Sequence, residues 1–175
     1  MNTNLESLSL EEIINYILKD FHIPTKKYLE ELKSKVSEIK ENDIANFPKL
    51  EFLGELFIQF KWEYLKHMER EELITFPTII KYEKILTNNS KNLKNLNETR
   101  LNYIEMKNEH DVFASYLLNI ISLFDSYENL NFTLQELSNS FKTIQKNNEE
   151  HAYIENNIIY PKWNEFQDKL IKSKN

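Results

Sequence analysis

Cysteine is absent from the chain, and glycine occurs only once, at Gly54. Without thiols there can be no disulfide and no thiolate metal site, so any metal must be held by nitrogen and oxygen donors. One glycine and four prolines leave little material for tight turns, and no stretch alternates with the period of two that marks a half-buried strand. Positive charge is in deficit: the formal net charge is -6 and the pI about 5.4. That balance disfavours a nucleic-acid face, which needs a basic surface, and docking on anionic membrane. Long apolar runs are missing as well. The longest mostly apolar stretch, over 116–124, is far too short to span a bilayer. The opening MNTNLESLSLEE is polar and acidic and lacks the basic-then-apolar order of a signal peptide. With no cysteine to protect, the expectation is a cytoplasmic protein with no nucleic-acid or membrane partner.

What is present is helical. The 175 residues are 41% hydrophobic, enough for one domain over 1–175 with a core from about 9 to 166. Ser9-Leu10-Glu11-Glu12 reads as a capping box that starts a first helix. Ile13, Ile14, Ile17, Leu18 and Phe21 follow helical spacing, and Tyr28, Leu29, Leu32, Val36 and Ile39 extend the stripe. Pro24 predicts a kink or short break just after His22. A polar connection over 41–46 leads to a second helix over 48–74, where Pro77 predicts an end or bend. A short helical piece over 78–86 and a loop-like stretch over 87–96 follow. A third helix over 97–127 and a fourth over 134–159 come next, then a short tail helix over 162–171. Four long amphipathic helices predict an all-α, up-down-up-down four-helix bundle with a short C-terminal helix.

The informative pattern is in the histidines. All four fall into one arrangement that occurs twice. His22 precedes His67 by 45 residues, and His110 precedes His151 by 41. From His67 and from His151 alike, a Glu follows at +4 (Glu71, Glu155), an Ile at +7 (Ile74, Ile158), an aromatic at +9 (Phe76, Tyr160) and a Pro at +10 (Pro77, Pro161). His and Glu four apart project from one helical face. One such pair is a weak signal, and a lone histidine on an apolar face is more often a core or surface residue than a ligand. Two matching copies that use every histidine are much harder to obtain by chance. Buried imidazoles and carboxylates without a metal would also cost several kcal/mol in desolvation and unmet hydrogen bonds. The predicted ligands are therefore His22, His67, Glu71, His110, His151 and Glu155, with each glutamate placed to bridge two metals. Four imidazoles and two carboxylates suit iron or manganese better than a closed tetrahedral zinc site. Ferritin-like bundles carry the inverse balance, with four carboxylates and ExxH spacing.

Further residues follow from spacing. Glu63 lies one turn before His67 and Asn147 one turn before His151, so either could accept the outer N–H of a ligand imidazole. Glu109, beside His110, could act as a gate or proton relay. For Glu63 and Glu109 the alternative is an ordinary solvated charge. Phe76 and Tyr160 are expected to pack beneath the site.

The segments DFHIPTKKYLEEL (20–32), HMEREELITFP (67–77), NEHDVFASYLL (108–118) and EEHAYIENNIIYP (149–161) resemble the hemerythrin-like di-iron domain, and within it the Repair of Iron Centres family. The resemblance spans about residues 9 to 166. It implies two iron ions with a bridging oxo or hydroxo group, held by the histidines and the two HxxxE glutamates. It also implies a role in restoring iron–sulfur clusters damaged by nitric oxide or oxidants, and family glutamates near the site match Glu63 and Glu109. Implied partners are nitric oxide or oxygen, damaged iron–sulfur proteins and a reductant. Many family members carry a further N-terminal domain with a paired-cysteine motif; this sequence has neither, so any thiol step is expected to be absent or to fall to a partner. Oxygen-carrying hemerythrins use five histidines in HxxxH and HxxxxD spacing, which disfavours an oxygen carrier here. The competing readings are a di-iron module that binds or senses nitric oxide or oxygen without turnover, and a structural metal bundle.

If Glu71 and Glu155 bridge two metals, Glu71→Ala or Glu155→Ala should lose more metal than Glu63→Ala. An outer hydrogen-bonding group only orients one ligand, at about 10–100-fold in affinity. Metal retained per chain after dialysis checks this, and equal retention in all three variants contradicts the bridging assignment.

Overall fold

The computed structural model describes residues 5–87 and 103–174. Among the described residues there is no strand. Helix α1 runs from Leu10–Ile17 through a wide turn, Leu18–His22, into Ile23–Ser37. A short helix α2, Glu41–Asn46, and a 3-10 turn, Pro48–Phe52, lead to α3. Helix α3 comprises Leu53–Arg70, the turn Glu71–Thr75 and Phe76–Thr87. Helix α4 is Tyr103–Asp125, and α5 comprises Phe132–Ile154, the turn Glu155–Ile159 and Tyr160–Lys174. The long helices close a ring: Ile23–Ser37 packs on Leu53–Arg70, that on α4, α4 on Phe132–Ile154, and the last back on Ile23–Ser37. The architecture is an all-α, up-down-up-down bundle. No described helix is long and apolar enough to cross a membrane.

Pro24, Pro77 and Pro161 do not break their helices. In each case the residue before the proline donates its N–H five residues back: Ile23 to Leu18, Phe76 to Glu71, and Tyr160 to Glu155. Pro24, Pro77 and Pro161 have no N–H, and their rings would press on the carbonyls of Asp20, Leu73 and Asn157 in a regular α-helix. Each of those carbonyls lies in a π-helical turn, where the wider coil relieves the clash. Such turns occur mostly singly and often at functional sites. The kink or short break expected at Pro24 and the end or bend expected at Pro77 are π turns through which α1 and α3 continue, and the short C-terminal helix expected over 162–171 is present as Tyr160–Lys174, joined to the rest of α5 by a π turn. The polar connection expected over 41–46 is helical. Lys40 N–H is capped by Asp43 at 3.1 Å, and Asn131 ties the other Asp43 oxygen at 2.9 Å. The helix expected from Pro48 becomes α-helical only at Leu53. The expected start of the third helix and most of the expected loop over 87–96 lie outside the described residues.

The start of α1 satisfies every free donor of its first turn. Ser9 Oγ accepts from Glu12 N–H and the Glu12 carboxylate accepts from Ser9 N–H, completing the capping box. The remaining two donors are taken from a distance. Glu83, on the last part of α3, accepts from Leu10 N–H at 2.7 Å and from Glu11 N–H at 2.9 Å. A carboxylate at a helix N-terminus also meets the positive end of the helix dipole.

Apolar residues form two clusters. One holds Leu53, Phe57, Phe60, Tyr64, Phe113, Phe124 and Phe141, and fills the bundle toward the α4–α5 connection. The other holds Ile13, Ile17, Phe21, Phe76, Ile154, Tyr160 and Trp163. The histidines and the two HxxxE glutamates lie between them, walled by Tyr64 and Phe113 from one cluster and Phe21 and Phe76 from the other. Fully buried aromatics on both sides each contribute about 1.5–3 kcal/mol of burial free energy, which keeps the polar layer dry and its walls fixed.

Removing the Glu83 carboxylate leaves two helix donors without it, one of them on buried Leu10. Glu83→Ala is expected to destabilise the fold by about 1–3 kcal/mol. Urea denaturation should show this as a lower midpoint with an unchanged slope, and an unchanged midpoint would contradict the capping role.

Candidate metal centre

Five of the six predicted ligands are placed by α3 and α5 together with the π turn of α1, and α4 supplies His110. His22 is the last residue of its π turn, while Glu71 and Glu155 are each the first residue of theirs. His67 and His151 stand four residues earlier, still in regular α-helix. None of the six is more than 3% exposed.

The six side chains divide into two sets of four donors. His22, His151, Glu71 and Glu155 form one, and His67, His110, Glu71 and Glu155 the other, with all donor atoms of a set within 4.8 Å of one another. In the first, His22 Nε2 lies 3.1 Å from His151 Nε2 and 3.5 Å from Glu71 Oε2, and His151 Nε2 lies 2.7 Å from Glu155 Oε1. In the second, His67 Nε2 lies 2.9 Å from His110 Nε2 and 3.3 Å from Glu71 Oε1, and His110 Nε2 lies 3.0 Å from Glu155 Oε2. Each carboxylate therefore gives one oxygen to each set. Glu71 Oε2 and Glu155 Oε2 are buried with no hydrogen-bond partner. Orphaned buried carboxylate oxygens facing imidazole nitrogens are what a site built for cations presents when the donors alone are considered.

The outer nitrogens are all engaged. His22 Nδ1 meets Glu72 at 2.8 Å, His67 Nδ1 meets Glu109 at 2.6 Å, His110 Nδ1 meets Asn156 Oδ1 at 3.3 Å, and His151 Nδ1 meets the Tyr64 hydroxyl at 3.3 Å. For His22, His67 and His110 the partner is a carboxylate or amide oxygen, which accepts, so Nδ1 carries a proton and Nε2 faces inward; the Tyr64 hydroxyl orients the His151 ring in the same sense. Glu109 thus lies where sequence spacing suggested Glu63. Glu63 instead lines a cavity of about 430 Å³ on α3 and α4, together with Lys66, His67, Arg70, Glu105 and Glu109. Asn147 accepts from the Thr25 hydroxyl at 2.9 Å, and Tyr64 takes the place expected for it on His151. Phe76 lies against the His22 ring, with centroids 5.7 Å apart, and Tyr160 donates its hydroxyl to Glu71 Oε1 at 2.7 Å. Glu72, Tyr64, Asn156, Lys26 and Arg70 were not singled out from the sequence. The doubled motif held a signal for two of them, since Glu72 and Asn156 are the residues after the two HxxxE glutamates.

A model of the hemerythrin HHE cation-binding domain matches residues 13–163. The chain belongs to the hemerythrin HHE family. Two curated relatives, each called iron-sulfur cluster repair protein ScdA and drawn from two strains of Staphylococcus epidermidis, are 23% identical over 163 residues. The alignment covers 91% of this chain and 69% of each relative. The buried histidine–glutamate layer of this hemerythrin domain has the donor set that a cation-binding site needs.

Its electrostatics follow from burial working against clustered opposite charge. Burial opposes a charged His67, but Glu71 and Glu109 outweigh it and raise its pKa to about 10. His22 is raised as well: burial opposes this, while Glu71, Glu155 and Glu72 favour the charged ring. Glu71 is held well below the usual carboxylate range, against burial, by His67 and His22. Glu155 is lowered too, against burial and the nearby Glu71, by His151 and His110. Burial and then the two carboxylates push the Tyr64 and Tyr160 hydroxyls up, so both remain phenols and Tyr160 remains a donor. In the metal-free chain, protons stand where cations would.

The sign of the pH dependence follows. The unfolded histidine titrates at about 6.5 and the glutamate at about 4.3. In the metal-free hemerythrin domain the raised His67 stabilises fully below the unfolded value, and that contribution is lost as pH rises through about 10. The depressed Glu71 stabilises above its unfolded value, and that contribution is lost as pH falls. A cation must displace the His67 proton, so binding releases protons and strengthens with pH. The gain in Tm on adding metal should therefore widen between about pH 6 and pH 8. Paired melts of loaded and chelated protein check this, and a gain that does not change with pH contradicts it.

Proposed function

We propose that this hemerythrin domain is a non-haem di-iron protein that acts in the cytoplasm to restore iron–sulfur clusters damaged by nitric oxide or oxidants. The observation that carries the reading is the pair of four-donor sets sharing both carboxylates. Within each set two Nε2 atoms approach to about 3 Å, a distance at which inward lone pairs repel unless a cation or proton lies between them. His22 and His151 would hold one iron and His67 and His110 the other, with Glu71 and Glu155 bridging. Each metal then has two nitrogens and two oxygens from the protein, which leaves coordination positions free. When bound, the irons would supply one-electron chemistry and open positions for an oxo or hydroxo bridge and a small ligand such as nitric oxide or oxygen.

The chain's own part is to bind, orient and keep dry. The four outer hydrogen bonds hold each ring with Nε2 inward. Tyr160 hydrogen-bonds Glu71 and so limits rotation of that bridge. Phe21, Phe76 and Phe113 exclude water from three sides of the imidazoles. The repair role is supported by the name of the two matched relatives, whose chains this one covers over 69% of their length. Damaged iron–sulfur proteins would be the clients, with electrons from a separate reductant.

Metal analysis of freshly loaded protein should give two irons per chain. One tightly held ion per chain would sink the di-iron reading. The loaded protein should also restore activity to an iron–sulfur enzyme inactivated by nitric oxide, in the presence of a reductant. Binding of nitric oxide with no recovery of the client would instead make it a sensing or storage module.

A further inference from the structure

The two copies of the histidine motif are not chemically equal, and the difference lies in what stands behind the rings. In the first copy both histidines are backed by carboxylates, and each carboxylate is held by a cation. His22 Nδ1 meets Glu72, whose two oxygens are each 2.7 Å from Lys26 Nζ. His67 Nδ1 meets Glu109, which lies 2.5 Å from the Arg70 guanidinium. In the second copy both backing groups are neutral, Asn156 behind His110 and the Tyr64 hydroxyl behind His151. The motif offset explains why. It sets Asn156 opposite Glu72, Phe21 opposite Glu109, Ala114 opposite Lys26 and Ile154 opposite Arg70. The positions that would clamp His110 and His151 therefore hold neither acids nor cations, and Phe21, the counterpart of Glu109, stacks on His151 instead.

Each donor set takes one histidine from each copy. Each therefore contains one carboxylate-backed and one neutral-backed imidazole, and the two sets are alike in this respect although the copies are not. A carboxylate on Nδ1–H makes the ring a stronger donor at Nε2. Glu72 and Glu109 are only partly buried, with 26% and 30% of their side chains exposed, and on their own they would turn into water. Lys26, one turn after His22, and Arg70, three residues after His67, face them across the helix boundary and hold them on the rings. Each clamp is neutral overall, so it fixes a ring without adding net charge beside the bridging carboxylates.

We propose that Lys26 and Arg70 are positioning residues for the metal centre, each acting through a carboxylate on one histidine of a different metal position. This rests on the two-metal reading above. The two clamps differ in setting: Arg70, Glu109 and His67 line the cavity on α3 and α4, so the Arg70 clamp meets that cavity directly.

The test uses the full chain, titrated anaerobically with iron(II) and, separately, with cobalt(II) as a spectroscopic probe, against a competing chelator. Lys26→Met and Arg70→Met are the disrupting variants, and Lys26→Arg and Arg70→Lys the conservative ones. Each methionine variant is expected to bind two metals per chain with one position weakened by about 10–100-fold, so that a wild-type curve becomes biphasic. The cobalt bands of the weakened position should shift. The charge-conserving variants should recover most of the affinity, which a loss of surface packing would not allow. Melting of the chelated variants separates a fold effect from a site effect. Methionine variants that match wild type in both affinities and in the cobalt spectrum overturn the clamp while leaving the two-metal reading intact. A wild-type chain that binds a single metal overturns both.

Discussion

Two carboxylates hold this structure to its purpose. Glu71 and Glu155 are completely buried, and each gives one oxygen to each of two histidine pairs. Two acids side by side in a dry layer repel, and Glu71 does oppose the ionisation of Glu155. Only positive charge from both sides makes the arrangement tolerable, whether from imidazolium or from metal. That requirement fixes where the four histidines must stand, and it divides the apolar core into two clusters with a polar layer between.

The π turns are how the helices meet that requirement. A carboxylate that begins a π turn sits at a point where the helix widens, and in α3 and α5 the turn ends at an X–Pro pair whose ring would otherwise clash. His22 closes such a turn in α1, two residues before Pro24. The helix bearing His110 has valine where the first copy has Pro24, and it runs as regular α-helix throughout Tyr103–Asp125. The internal repeat is thus exact in ligand type and broken in backbone. One strained-looking feature, proline inside a long helix, is the local solution to placing a ligand.

Around the inner donors, function and stability use different chemistry. The rings are oriented by hydrogen bonds at their outer nitrogens, charged for His22 and His67 and neutral for His110 and His151. The fold at the far end of the same helices is closed by a carboxylate of another kind. Glu83 caps α1 from the end of α3 and ties together the two segments whose π turns carry His22 and Glu71. Hemerythrin-family membership agrees with this division, since the matched span of 13–163 covers the site and nearly all of the helices that build it.

The four histidines, the two HxxxE glutamates, their shared faces and the all-α architecture were legible in the sequence, because periods of 3.6 and spacings of four are local properties of a helix. Glu109 was legible as a neighbour of the site, and Ser9 with Glu12 as a helix start. Tertiary structure decided the rest. Whether Pro24 breaks a helix or widens it depends on packing that holds both sides in line. Whether Glu63 or Glu109 backs His67 depends on which helix approaches that edge of the ring, and α4 does. Glu72, Lys26, Arg70, Tyr64 and Asn156 act across helix boundaries, where spacing within one helix carries no information. Sequence periodicity chose the donors and the face they occupy; the packing of one helix against another chose their partners.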